Sequence, residues 1–114
     1  MENNTQDYTL DYGVIGNCKT AALVSKTGSI DWLCMPNFDS PSVFSKLLDA
    51  KIGGSFSIQA SGDYRITQKY VYGTNILSTQ FISPEGKFEI LDFMPRYRTV
   101  DKEYYMPCEI YRYI

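Results

Sequence analysis

The sequence predicts a mainly β fold, an antiparallel β-sandwich carrying one short helix near residues 41–50. Three observations lead there. Beyond Gly54 the apolar residues recur with period two, as in half-buried strands. Turn-forming clusters, "TGS" (27–29), "GTN" (73–75) and "SPEGK" (83–87), separate those runs at the spacing of a sandwich. Only one segment carries a helix-start signal. The length, 114 residues with 44% hydrophobic, is enough for one small core.

Taken in order, residues 1–11 read as a flexible polar arm and 12–114 as the folded part. "GVIGNC" (13–18) is a short strand or extended entry. "TAALVSK" (20–26) and, within "IDWLCMP" (30–36), residues 30–35 form the first hairpin, around a turn where Gly28 supplies positive φ. The second of these is apolar on both faces, as in a strand covered on two sides. Ser40 then reads as an N-cap, with Pro41 at the first helical position. Val43, Phe44, Leu47 and Leu48 would form the buried stripe of a helix over 41–50, stopped by Gly53 and Gly54. Strands follow at "SFSIQA" (55–60), "YRITQKYVY" (64–72), "ILSTQFI" (76–82) and "FEILDFM" (88–94). "RYRTVDKEYYMP" (96–107) reads as a loop. "CEIYRYI" (108–114) alternates as a strand, with Cys108, Ile110 and Ile114 on one face. A strand there leaves an unpaired edge, which reads as a partial, truncated sandwich within a longer polypeptide.

The totals exclude several chemistries. There are no histidines, which removes Ser-His-Asp and Cys-His dyads and histidine-based zinc sites. Three cysteines without CxxC spacing indicate neither a disulfide framework nor a zinc ribbon, so they read as buried reduced thiols and no metal or cofactor is expected. The net charge of −2 offers no basic patch for nucleic acid. No apolar run is long enough for a membrane helix, and the polar, acidic start lacks signal-peptide character, which makes the cytoplasm the expected location. "GVIG" is too short for a phosphate loop.

The stretch "GSIDWLCMPNFDSPSVF" (28–44) concentrates the specialised residues. Asp31 and Asp39 read either as a carboxylate pair or, more simply, as a hairpin anchor and a helix-start anion. Trp32 reads as a core plug, with stacking on a sugar as the alternative. Phe38, between Asn37 and Asp39 in a loop, suits core and contact roles equally. Asp92 reads as a turn or interdomain hydrogen-bonding group. Ten tyrosines, five of them among the last 18 residues, suit sheet packing, an interface or a carbohydrate platform.

"YGVIGNCKTAALVSKTGSIDWLCMPNFDSPSVFSKLLD" (12–49), continued by "GGSFSI" (53–58), "QKYVYGTNILSTQF" (68–81) and "LDFMP" (91–95), closely resembles the start of bacterial and archaeal glycoside hydrolase family 15 proteins, the glucoamylase-like, glucodextranase-like and trehalase-like enzymes. The resemblance implies the amino-terminal part of a β-sandwich domain, partnered by a separate helical-barrel catalytic domain further along the chain. It implies inverting hydrolysis of α-glucosides by two glutamates on that barrel, one protonating the leaving oxygen and one activating water. None of Glu2, Glu85, Glu89, Glu103 and Glu109 lies in a matching motif, so no catalytic residue is expected here. Asn37, Phe38 and Asp39, with Trp32, are the candidate contacts to substrate or to the catalytic domain. A self-standing carbohydrate-binding module and a structural interaction domain are the alternative readings.

Overall fold

The computed structural model describes residues 11–114. The expected arm, 1–11, lies outside the described residues apart from Asp11, an exposed residue whose carboxylate meets Lys26 at 3.0 Å. Eleven strands follow: β1 (Tyr12–Gly16), β2 (Ala21–Ser25), β3 (Ser29–Cys34), β4 (Ser42–Phe44), β5 (Phe56–Ser57), β6 (Arg65–Tyr70), β7 (Leu77–Ser83), β8 (Gly86–Phe93), β9 (Tyr97–Arg98), β10 (Tyr104–Tyr105) and β11 (Tyr111–Tyr113). One sheet has the order β1-β2-β3-β4, with β5 also on β3, and the other the order β11-β8-β7-β6. Every pairing is antiparallel.

The sheets bury their apolar faces against each other. Ile15, Ala22, Val24, Ile30 and Leu33 come from the first sheet; Leu77 comes from the second, and Met94 follows β8. Period two sets this arrangement in β7, where Leu77, Thr79 and Phe81 point to the core. The expected β2–β3 hairpin is present, with Ala22 opposite Leu33 and Leu23 opposite Trp32. Gly28 closes it at φ +81°. A Cβ at Gly28 would come within 3.3 Å of the Phe81 ring, so conformation and space both call for glycine.

On one side of the sandwich, side chains of β6 reach across to the first sheet: Gln68 donates to the Ser25 carbonyl (2.9 Å), and Tyr70 meets the edge strand. The Tyr70 hydroxyl donates to the Val14 carbonyl (2.7 Å) and accepts from the Val14 N–H (2.8 Å). It therefore satisfies both backbone groups at one position on the edge strand β1. Towards the other side Arg112 of β11 reaches across. Its guanidinium holds Asp92 of β8 through two bonds (2.6 and 3.1 Å) and donates to the carbonyls of Phe56 (2.9 Å) and Gly28.

Three expectations are corrected. The segment 41–50 is not a helix. Ser42–Phe44 pairs with β3, Phe44 opposite Leu33, and the chain then runs through turns in which Ser45 and Lys46 donate to Gly53 and Gly54. A ten-residue helix is too short to hold itself together, and pairing with β3 offers ladder bonds plus cover for the core. Ser40 accepts from the Asn37 N–H (3.1 Å) in a local turn instead of capping. Leu47 and Leu48 are exposed, Leu48 by 78%. The loop 96–107 contains the β9–β10 hairpin. Of the cysteines only Cys34 is buried; Cys18 and Cys108 are exposed free thiols.

Candidate functional site

The loops at one end of the sandwich are built around Asn17, which follows β1. This side chain is 1% exposed. Its Oδ1 accepts from the N–H groups of Lys19 (2.9 Å) and Thr20 (3.0 Å), forming an Asx turn that joins β1 to β2. Its Nδ2 donates to the carbonyl of Pro107 at 3.4 Å. Cys18, within the turn, adopts φ +74°. The Lys19 carbonyl accepts from the Phe38 N–H (3.0 Å), and the Thr20 hydroxyl donates to the Cys34 carbonyl. The turn 17–20 thus ties the loop after β3 and the loop before β11 to one place.

Asn37, Phe38 and Asp39 lie together on the loop after β3, and all three are exposed, Phe38 by 56%. The loop is nonetheless ordered by its backbone: Ser40 donates back to the Asn37 carbonyl (3.1 Å), and Phe38 is anchored on Lys19. A fixed loop presenting an aromatic ring between two polar side chains is suited to contact, with little ordering entropy left to lose on binding. Trp32 is not brought into this group. It is half-buried in β3, cross-strand from Leu23.

The aspartates separate likewise. Asp31 is buried, accepting from the Ser29 hydroxyl (2.6 Å) and the Tyr12 hydroxyl (2.9 Å). Burial, and then the carboxylate beside it, hold the Tyr12 phenol above its ordinary pKa. Asp39 stands in the exposed loop, so the two differ in environment, and there is no helix start for Asp39 to stabilise. Asp92 is fully buried against Arg112. The sequence reading of 108–114 passed over Arg112, although alternation puts it on the same face as Ile110. An inward-facing acid and base on neighbouring strands was the signal for this pair. Asn17 was missed too, because nothing local marks a polar residue as a hub.

The tyrosines do not form one flat platform. Tyr97 and Tyr105 are tilted at 56° with centroids 5.2 Å apart, Arg96 lies 4.2 Å over Tyr104, and Tyr111 stacks on Phe93. On the outer face of the second sheet, Ser78 (2.6 Å) and Gln80 (3.1 Å) donate to Glu89, holding its carboxyl below the usual value. Among the described residues no three His, Cys, Asp or Glu side chains cluster as metal ligands, and no helix is long and apolar enough to cross a membrane.

The family model described as "Trehalase-like, N-terminal" matches residues 9–106. Trehalase 1 of Sulfolobus acidocaldarius is 54% identical over 84 residues, which are 73% of this chain and 14% of that protein. The trehalase of Thermoplasma volcanium is 45% identical over 97 residues, 82% of this chain and 15% of the relative. The trehalase of Mycobacterium tuberculosis is 34% identical over 86 residues, 72% of this chain and 12% of the relative. No solved structure matches. The chain thus spans about one seventh of the length of the first two of these curated relatives. A match over residues 9–106 takes in every strand from β1 to β10 together with the loop of Asn37, Phe38 and Asp39, and the chain belongs to the trehalase-like N-terminal family.

Proposed function

We propose that this chain is the non-catalytic β-sandwich segment of a trehalase-type α-glucoside hydrolase, with residues 12–114 as the amino-terminal part of its sandwich domain. It serves a catalytic domain of the same polypeptide, to which it presents Asn37, Phe38 and Asp39. The observation that carries the reading is the alignment onto a small part of much longer trehalases, combined with an exposed aromatic on an anchored loop. In this reading the catalytic domain supplies both carboxyl groups. One protonates the glycosidic oxygen; the other takes a proton from the water that attacks the anomeric carbon from the opposite face. The two groups stand about 6.5–9.5 Å apart, leaving room for that water. The sandwich positions the site without entering the chemistry.

The test is hydrolysis of trehalose, maltose and isomaltose by this chain alone and by a chimera in which it replaces the aligned segment of Sulfolobus acidocaldarius Trehalase 1. The chain alone is expected to be inactive and the chimera active on trehalose. Turnover by the chain alone, lost in Asp31→Asn or Asp39→Asn, overturns the reading. Binding of trehalose by the chain alone favours a carbohydrate-binding module instead. In the chimera, Phe38→Ala is expected to lower kcat/KM roughly 10- to 100-fold while stability changes by no more than about 0.5 kcal/mol, as for an exposed side chain.

A further inference from the structure

Two loops far apart in sequence, 35–40 and 106–109, are held by the same four-residue turn. The connection to the first is backbone to backbone, Phe38 N–H to Lys19 carbonyl at 3.0 Å. The connection to the second is the Asn17 side chain, Nδ2 to the Pro107 carbonyl at 3.4 Å. The turn takes its shape from the other atom of the same amide, since Oδ1 accepts from Lys19 and Thr20. A carboxamide supplies, on separate atoms, an acceptor for two consecutive backbone N–H groups and a donor for a distant loop. A short apolar residue would leave both N–H groups without that acceptor, and a carboxylate would keep the acceptors but lose the donor.

We propose that Asn17 is the positioning residue of this end of the sandwich, a single buried amide that locks the loops 35–40 and 106–109 into one surface, so that Phe38 and the 106–109 loop meet the catalytic domain together. The inference rests on the proposed function for the identity of the partner; the coupling of the loops rests on the hydrogen bonds alone. Asn17 touches no substrate. It acts by fixing where Phe38 stands, and a displacement of about 1 Å in such a contact is enough to lower turnover.

The discriminating variant is Asn17→Asp. Its carboxylate still accepts from Lys19 and Thr20, so the turn and the Phe38 anchor stay, but an oxygen now faces the Pro107 carbonyl. Amide hydrogen exchange on the chain itself is expected to show the Glu109 N–H, which donates to the Pro107 carbonyl (2.9 Å), exchanging roughly fivefold faster, the worth of one net hydrogen bond, with Phe38 protection unchanged. Asn17→Ala is expected to release both loops. In the chimera with Trehalase 1, assayed well below its melting transition, Asn17→Asp is expected to lower kcat/KM for trehalose roughly tenfold, mainly through KM. Unaltered exchange at Glu109 in Asn17→Asp overturns the proposal whatever the chimera does. Faster exchange with unaltered kinetics also overturns it, because the surface would then play no part in positioning the site. A chimera inactive with Asn17 intact counts against the proposed function, and the exchange result then decides the coupling by itself.

Discussion

Arg112 shows how much one side chain can carry in a domain of this size. It neutralises Asp92, which is fully buried, and it donates to two carbonyls of the opposite sheet. Removing one partner of such a pair strands the other charge, which costs about 3–5 kcal/mol. Arg112→Met is therefore expected to lower the unfolding free energy by that amount in urea titrations. Arg112→Lys is expected not to rescue it, since one ammonium cannot serve a bidentate carboxylate and two carbonyls. Tyr12 gives a pH signature. Its folded-state pKa is raised, so folding favours the neutral phenol. That contribution is complete below about pH 10, the ordinary tyrosine value, and disappears as pH rises through the raised one. The stability difference between wild type and Tyr12→Phe is expected to shrink as pH rises above about 10. A difference that stays constant would contradict the assignment.

Among the elements, the segment after Ser40 is the one where local signals and the fold disagree. Ser40, Pro41 and the spacing of Val43, Phe44, Leu47 and Leu48 satisfy the rules for a capped amphipathic helix. Those rules describe a helix that has a face to bury. Here Phe44 is the residue that the core needs, and it reaches the core from a strand laid on β3, opposite Leu33. Val43 is exposed on the same strand, and Leu47 and Leu48 fall in the turns that follow. Leu48→Ala is expected to change stability by less than about 0.5 kcal/mol, where a helix core position would cost roughly 2–5 kcal/mol. Gly53 matters more. A Cβ there would fall on the carbonyl oxygens of Ser45 and Asp49, backbone atoms fixed by their own bonds. Gly53→Ala is expected to cost about 1–3 kcal/mol, the usual range for overpacking, measured as a lower denaturation midpoint.

At the scale of the whole molecule, the two sides of the sandwich differ. On the β1 side the Tyr70 hydroxyl blocks the free backbone groups of Val14 on the edge strand. The side where β4 and β5 face β11 opens as a groove of about 380 Å³, lined by Ile30, Leu33, Met35, Val43, Phe44, Phe56, Ile110 and Arg112. An apolar groove continuous with the core favours association over solubility. The isolated chain is expected to self-associate at high concentration, and Val43→Lys on the groove rim to shift it towards monomer. Val14→Lys, on the blocked side, is expected to have no such effect. Sedimentation equilibrium on the three proteins distinguishes these outcomes.

The strands were legible in the sequence wherever their pattern is local. Period two in Leu77, Thr79 and Phe81, and turn chemistry at Gly28, follow from steric rules acting within a few residues, and the structure keeps them. The exposed Asn37-Phe38-Asp39 loop was legible for the same reason, set off as it is by Pro36 and Ser40. Other features depend on partners distant in sequence. Arg112 meets Asp92 and Gly28 across 20 and 84 residues, Asn17 meets Pro107 across 90, and Tyr70 meets Val14 across 56. No local pattern specifies such pairs, because a buried polar group is satisfied by whatever the topology places beside it. The tertiary structure alone decided them, and it decided the fate of 41–50 as well. There an edge of β3 stood ready to pair, and ladder bonds together with burial of Phe44 outweighed a helix too short to stand by itself.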